Sequence, residues 1–154
     1  MVAIILYQPE IPPNTGNIMR LCSNIGFSLH IIKPIGFNLD EKSLRRAKMD
    51  YFANLTPNLY DSFEQFITKE EPSEIYPITK FGRKIYTEVY FKENSYLLFG
   101  SETRGLPKEI LKRYSKNALK IPMQKENRSL NLSNAVAIVS YEAWRQLKFS
   151  GAIL

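Results

Sequence analysis

The stretch Arg128-Ser-Leu-Asn-Leu-Ser-Asn-Ala-Val-Ala-Ile-Val-Ser-Tyr-Glu-Ala-Trp-Arg145 runs from a polar loop straight into the most apolar segment of the chain. Every residue from Ala135 to Val139 is apolar, and Tyr141, Ala143, Trp144 and Leu147 extend the pattern. Periodicity alone does not separate a short buried strand from a buried helix. The length of the pattern, from about Ser133 to Lys148, decides for a helix, and Asn131 or Ser133 supplies an oxygen to cap its first turn. A helix apolar around most of its girth needs cover on more than one side: a sheet on one, another subunit on the other.

Outward from this helix, strands and helices alternate. Val2–Tyr7 is a continuous apolar run of strand length, as in a parallel sheet covered on both faces, and Ser95–Phe99 reads as a second buried strand. Ser28–Lys33, Glu74–Thr79 and Ala118–Ile121 read as further strands, and 81–94 is ambiguous. Pro9, Pro12 and Pro13 exclude regular structure before a helix that begins at Asn14 or Thr15. Its apolar positions Ile18, Leu21, Cys22 and Ile25 follow the helical period, and Gly26 stands where a C-terminal glycine cap belongs. Asp40 caps a short helix through Met49 that projects Lys42, Arg45 and Arg46 as a basic cluster, either a solvated face or one that meets a polyanion. Asp61-Ser-Phe-Glu64 reads as a capping box, and Pro107 takes the first position of another helix. The pattern predicts one α/β domain over 1–154, with a mostly parallel sheet flanked by helices.

Composition narrows the function. With 154 residues and 44% hydrophobic content, the chain builds one core. The 21 Lys and Arg against 15 Asp and Glu leave a net charge of +6, which favours a polyanionic partner. Cys22 is the sole cysteine, so no intrachain disulfide forms and a reducing compartment is expected. The apolar run at Val2–Tyr7 is too short for a membrane span and has no basic leader, which points to the cytoplasm. One His and one Cys assemble neither a zinc site nor a Cys–His pair, so metal-independent chemistry is expected. His30, between Leu29 and Ile31, reads as a structural strand residue, and Cys22 as packed and inert.

Three loops leave the carboxyl ends of predicted strands, where open α/β sheets bind ligands. They are Pro9-Glu-Ile-Pro-Pro-Asn-Thr-Gly-Asn-Ile-Met-Arg20, Phe99-Gly-Ser-Glu-Thr-Arg-Gly-Leu-Pro107 and Ile121-Pro-Met-Gln-Lys-Glu-Asn-Arg-Ser-Leu-Asn-Leu-Ser-Asn134. None is a Walker A loop or a dinucleotide fingerprint, and no Gly-rich turn follows the first strand. Arg20 lies about 200° around its helix from Ile18, so it points away from the buried stripe, either into solvent or towards a target.

In this order the three loops resemble the three motifs of the SPOUT family of AdoMet-dependent RNA methyltransferases. The minimal length and Tyr141-Glu-Ala-Trp-Arg-Gln146 point within it to the TrmL (YibK-like) group. The resemblance implies a homodimer with a deep C-terminal trefoil knot, a topology that the general rule against threaded chains would reject. It implies S-adenosyl-L-methionine as cofactor, held by Ile78, Thr79, Gly100, Glu102, Ile121, Met123, Ser129, Leu130 and Ser133. The expected reaction is methylation of the ribose 2′-OH of the wobble nucleotide, a cytidine or modified uridine, in leucine tRNAs. Arg20, Asn14, Asn131, Ser133 and Tyr141 are the catalytic candidates, and Arg45, Arg46, Arg104 and Arg145 the expected RNA contacts. For Asn14, Asn131 and Ser133 helix capping is the bland alternative, and for Tyr141 the core. The rival functions are methylation at another tRNA position or in rRNA, and a non-catalytic RNA-binding dimer.

Overall fold

The structure, a computed structural model, describes residues 1–39, 55–127 and 129–153. The expected helix from Asp40 to Met49, with Arg45 and Arg46, lies outside the described residues. The strands are β1 (Ala3–Tyr7), β2 (Ser28–Ile32), β3 (Asn58–Tyr60), β4 (Glu74–Ile78), β5 (Lys84–Ile85), β6 (Ser95–Phe99) and β7 (Leu119–Lys120). The helices are α1 (Pro12–Ile25), α2 (Phe63–Glu70), α3 (Lys108–Arg113) and α4 (Leu132–Gln146). Among the described residues the strands form one sheet in the order β3-β2-β1-β6-β4-β7-β5, every pair parallel.

Successive strand residues face opposite sides, and both sides are apolar. On one, Ile4, Leu6, Leu29, Ile31, Leu97 and Phe99 pack with Ile18 and Cys22 of α1 and Val136 and Val139 of α4. On the other, Ile5, Ile32, Ile75 and Leu98 meet Phe63 and Phe66 of α2 and Ile110 of α3. Each fully buried side chain of this size contributes on the order of 1.5–3 kcal/mol. Surface ion pairs contribute about 0–1 kcal/mol, so the two apolar layers hold the sheet.

The local readings shift in three places. The first helix starts at Pro12, and Pro12 and Pro13 occupy its first two positions, where a missing N–H costs nothing. Asn14 is therefore inside the helix rather than its cap. The capping pair is Ser62 and Gln65, one residue later than Asp61 and Glu64: Ser62 Oγ accepts from Gln65 N at 3.1 Å, and Gln65 Oε1 accepts from Asp61 N at 2.6 Å. Pro107 caps α3 from outside, and the helix begins at Lys108. Gly26 does close α1, in the left-handed conformation at φ 72°.

The strand order is not sequential. β6 enters between β1 and β4, and β7 then enters between β4 and β5. A turn after β4 grips the start of β7: Thr79 N donates to Leu119 O at 2.8 Å and Arg83 N to Ala118 O at 3.1 Å. Gly82 makes this passage possible, since a Cβ there would lie 2.2 Å from the carbonyl carbon of Leu119.

Candidate active site

The parallel sheet sends the loops after β1, β6 and β7 to one end of the molecule, and polar side chains tie them together. Glu102, in the loop after β6, reaches the N-terminus of α1. Its carboxylate accepts from Glu10 N at 2.8 Å, Ile11 N at 3.0 Å and Asn14 Nδ2 at 3.3 Å. Ile11 precedes the helix without a side-chain cap of its own, so a carboxylate about ninety positions along the chain satisfies the amides there and complements the positive end of the helix. Acid–base chemistry is not needed to explain Glu102.

Asn14, 5% exposed, continues the chain of bonds: its Oδ1 accepts from Asn131 Nδ2 at 2.9 Å. Asn131 caps α4, its Oδ1 accepting from Ser133 N at 2.9 Å, Ser133 Oγ at 2.6 Å and Asn134 N at 3.3 Å. The capping reading of Asn131 is correct and incomplete, because the same side chain joins the helix ends. Asn14 caps nothing; it bridges Glu102 to Asn131.

The second loop is held from within. Ser101 pairs with Gly105, and Thr103 Oγ1 donates to the Glu10 carboxylate at 2.8 Å. Arg104 Nε stands 3.8 Å from Glu10 Oε1. A Cβ on Gly100 would lie 2.2 Å from the carbonyl carbon of Gly105. The close approach that demands glycine at 100 is thus to the loop's own backbone.

Residues 1–141 match the family described as SpoU rRNA Methylase. The chain belongs to that family. A curated relative in Escherichia coli strain K12, tRNA (cytidine(34)-2′-O)-methyltransferase, is 48% identical, covering 100% of this chain and 99% of its own. A solved structure concerned with 2-OH methylation of C/U34 on tRNA is 44% identical with a TM-score of 0.89, covering 96% of this chain and 97% of its own. The SpoU methyltransferase AviRb from Streptomyces viridochromogenes, solved with AdoMet, is 25% identical with a TM-score of 0.82, covering 97% of this chain and 58% of its own.

Within this SpoU-family chain, Asn14, Glu102, Asn131 and Ser133 form one connected group. Arg20 is on the exposed side of α1, roughly 9 Å along the axis from Asn14 at 1.5 Å per residue. Tyr141 is 46% exposed and meets Trp144 edge to face, so it is not core. Arg145 is clamped to Glu142 by two bonds, Nε to Oε2 at 2.8 Å and a terminal nitrogen to Oε1 at 2.9 Å. That contact, first the hydrogen bond and then burial acting against it, holds the Glu142 carboxyl below its usual range.

Ile78 pairs in register with Phe99 and Leu119, which sets the ends of β4, β6 and β7 side by side. Gly100 and Ile121 are half-buried there, and Met123, Ser129 and Leu130 are exposed. The Thr79 amide and hydroxyl are already engaged, with Leu119 O and Phe81 N. Cys22 is fully buried, and burial pushes its thiol up to about 12, so it takes no part in chemistry. His30 is buried away from the loops, its Nδ1 2.8 Å from Tyr60 Oη. No helix among the described residues is long and apolar enough to cross a membrane.

Proposed function

We propose that this chain transfers the methyl group of S-adenosyl-L-methionine to the ribose 2′-hydroxyl of the wobble nucleotide of leucine tRNAs, working as a homodimer in the cytoplasm. The observation that carries the reading is the bonded group Glu102–Asn14–Asn131–Ser133, which joins all three motif loops at one end of the sheet. Whole-length identity to the tRNA methyltransferase of E. coli supplies the substrate class.

The donor set fits the cofactor. Adjacent strand ends offer backbone groups near Ile78, Gly100 and Ile121, and Met123 and Leu130, in the loop that follows β7, leave apolar surface exposed at 40% and 39%. Such a surface suits an adenine ring and a sulfonium better than a phosphate. Bound S-adenosyl-L-methionine supplies an electrophilic methyl group. The rest falls to the chain. The Arg20 guanidinium carries N–H donors and no acceptor, so it positions the ribose and favours the ionised hydroxyl, whose proton passes to water. Asn14, Asn131 and Ser133 hold the loops in register, and Tyr141 stands on the open side of α4.

Two features support the dimer and the threaded fold. On α4, Val136, Val139 and Ala143 are buried, while Ala137 and Ile138 are half-buried and Tyr141 exposed, an apolar stripe that a second copy covers. The late insertion of β6 and β7 between earlier strands, followed by a helix packed back on α1, supports the trefoil knot.

The test is incubation of the protein with methyl-labelled S-adenosyl-L-methionine and total RNA, tRNA and rRNA together, from cells lacking the gene. Label on the ribose of position 34 in leucine tRNAs is expected. Label at another tRNA position or in rRNA replaces the substrate. Cofactor binding without transfer to any RNA favours the non-catalytic dimer.

A further inference from the structure

The turn that grips β7 also builds a surface outside the catalytic loops. Its tip residue, Phe81, is 68% exposed. Exposure of a large aromatic ring discards burial free energy, and here the fold enforces it. Gly82 sits against the backbone of Leu119, Gly82 N donates to Thr79 O at 3.0 Å, and Phe81 N donates to Thr79 Oγ1 at 3.3 Å. The turn is pinned at both sides, so Phe81 is held outward in one place.

Its surroundings are cationic. Lys80 Nζ lies 5.1 Å from the ring centroid. A notch of about 240 Å³ is lined by Phe81 itself, Arg83, Leu111, Lys112 and Ser115, together with Thr79 and Ala118. Lys84 and Lys116 stand exposed on the same two segments. Across 79–84 and 108–120, Glu109 is the only acidic residue. The notch is smaller than the ~300–1,000 Å³ of pockets that enclose whole cofactors. An aromatic face ringed by Lys and Arg has the two elements that bind single-stranded nucleic acid: a stacking platform and charge for the backbone.

We propose that Phe81, Arg83 and Lys112 form a secondary RNA-docking site, in which an unpaired base of the substrate tRNA stacks on Phe81 while Arg83 and Lys112 engage its flanking phosphates. This rests on the tRNA reading above. It assigns part of the affinity to a surface built by the turn around β7 and by α3, apart from Arg20 and the motif loops.

The test compares wild-type protein with Phe81→Ala and with Arg83→Ala/Lys112→Ala, all at surface positions. Affinity for unmodified tRNA transcripts is measured by fluorescence anisotropy over a series of salt concentrations, alongside S-adenosyl-L-methionine binding by calorimetry and mass in solution. Phe81→Ala weakens tRNA binding on the order of ten-fold, as for loss of one stacked base, with its salt slope retained. The double variant makes the slope of log K against log salt shallower by about 1.5, since two phosphates contribute ~0.7–0.9 each. Cofactor binding and mass stay at wild-type values. In Phe81→Trp, the added fluorescence is quenched on addition of tRNA. Unchanged affinity and slope in both variants, with wild type binding tRNA, overturn the docking site and leave the methyltransferase reading intact. A change of mass in Phe81→Ala assigns the surface to protein assembly instead. A wild-type protein that binds no tRNA overturns both readings.

Discussion

Asn131 Nδ2 donates to Asn14 Oδ1 at 2.9 Å across 117 positions of sequence, joining the N-terminus of α4 to the first turn of α1. One side chain caps its own helix and positions another. Asn131→Ala is expected to cost about 1 kcal/mol from the lost cap, and Asn14→Ala to leave Glu102 and Asn131 each short of a partner. A double-mutant cycle by urea denaturation should show a coupling of about 1 kcal/mol, as for directly bonded neighbours. Simple additivity would separate the two residues energetically.

Glu102 holds the loop before α1 through two backbone amides. Glu102→Ala should lower stability by about 2 kcal/mol, the scale of hydrogen bonds to a charged group, and Glu102→Gln by less, since one acceptor oxygen survives. If Glu102 served as a general base instead, Glu102→Gln would abolish transfer with stability unaltered. Activity and unfolding free energy measured on the same variants distinguish the roles.

Gly82 and Gly105 form a matched steric pair. A methyl group at 82 meets the Leu119 backbone, whereas at 105 it meets open space and only the positive φ of 66°. Gly82→Ala should therefore cost about 3 kcal/mol, as for overpacking against an immovable wall, and Gly105→Ala about 1 kcal/mol. Equal losses in thermal melts would mean that the turn can lift away from β7.

His30 is buried, and burial pulls its imidazole below the ordinary 6.5, with Glu70 acting weakly in the opposite sense. Tyr60, Tyr96 and Phe66 pack around it, and Tyr60 Oη donates to Glu70 at 2.6 Å. Below pH 6.5 the unfolded chain takes up a proton that the folded chain refuses. Stability should fall as pH drops from 6.5 towards the folded-state value, by up to about 1.4 kcal/mol per pH unit. His30→Gln should be less stable at pH 8 and lose this component of the slope; an unchanged slope would assign the pH dependence to other groups.

Arg20→Ala should abolish methyl transfer with cofactor binding and mass retained, and Arg20→Lys should recover little, because a point charge does not reproduce a planar fork of donors. Mixing subunits of the proposed dimer decides whose cofactor Arg20 serves. Gly100→Val is a poor companion, because its side chain collides with Gly105. Leu130→Trp, at an exposed position proposed to meet the cofactor, tests that surface without the collision. Activity regained on mixing Arg20→Ala with Leu130→Trp subunits shows that Arg20 acts across the interface; its continued absence shows action within one subunit.

What depends on neighbours along the chain was legible without the structure. The stretch Ser95–Phe99 is β6 to the residue, Gly26 ends α1, and Asn131 opens α4, because strand burial, left-handed caps and side-chain capping are written within a few positions. β3 escaped because Asn58–Leu59–Tyr60 is a three-residue edge strand with two exposed positions, too short to show a period. The motif residues were visible as a pattern, but their joining was not. Glu102 meets Glu10 and Ile11 only after β6 has entered beside β1, and Gly82 is required only once β7 lies under its turn. Phe81, one apolar residue in a polar turn, became a candidate contact for the same reason. Short-range periodicity encodes elements, whereas contacts between distant positions are set by strand order, which excluded volume and burial decide for the chain as a whole.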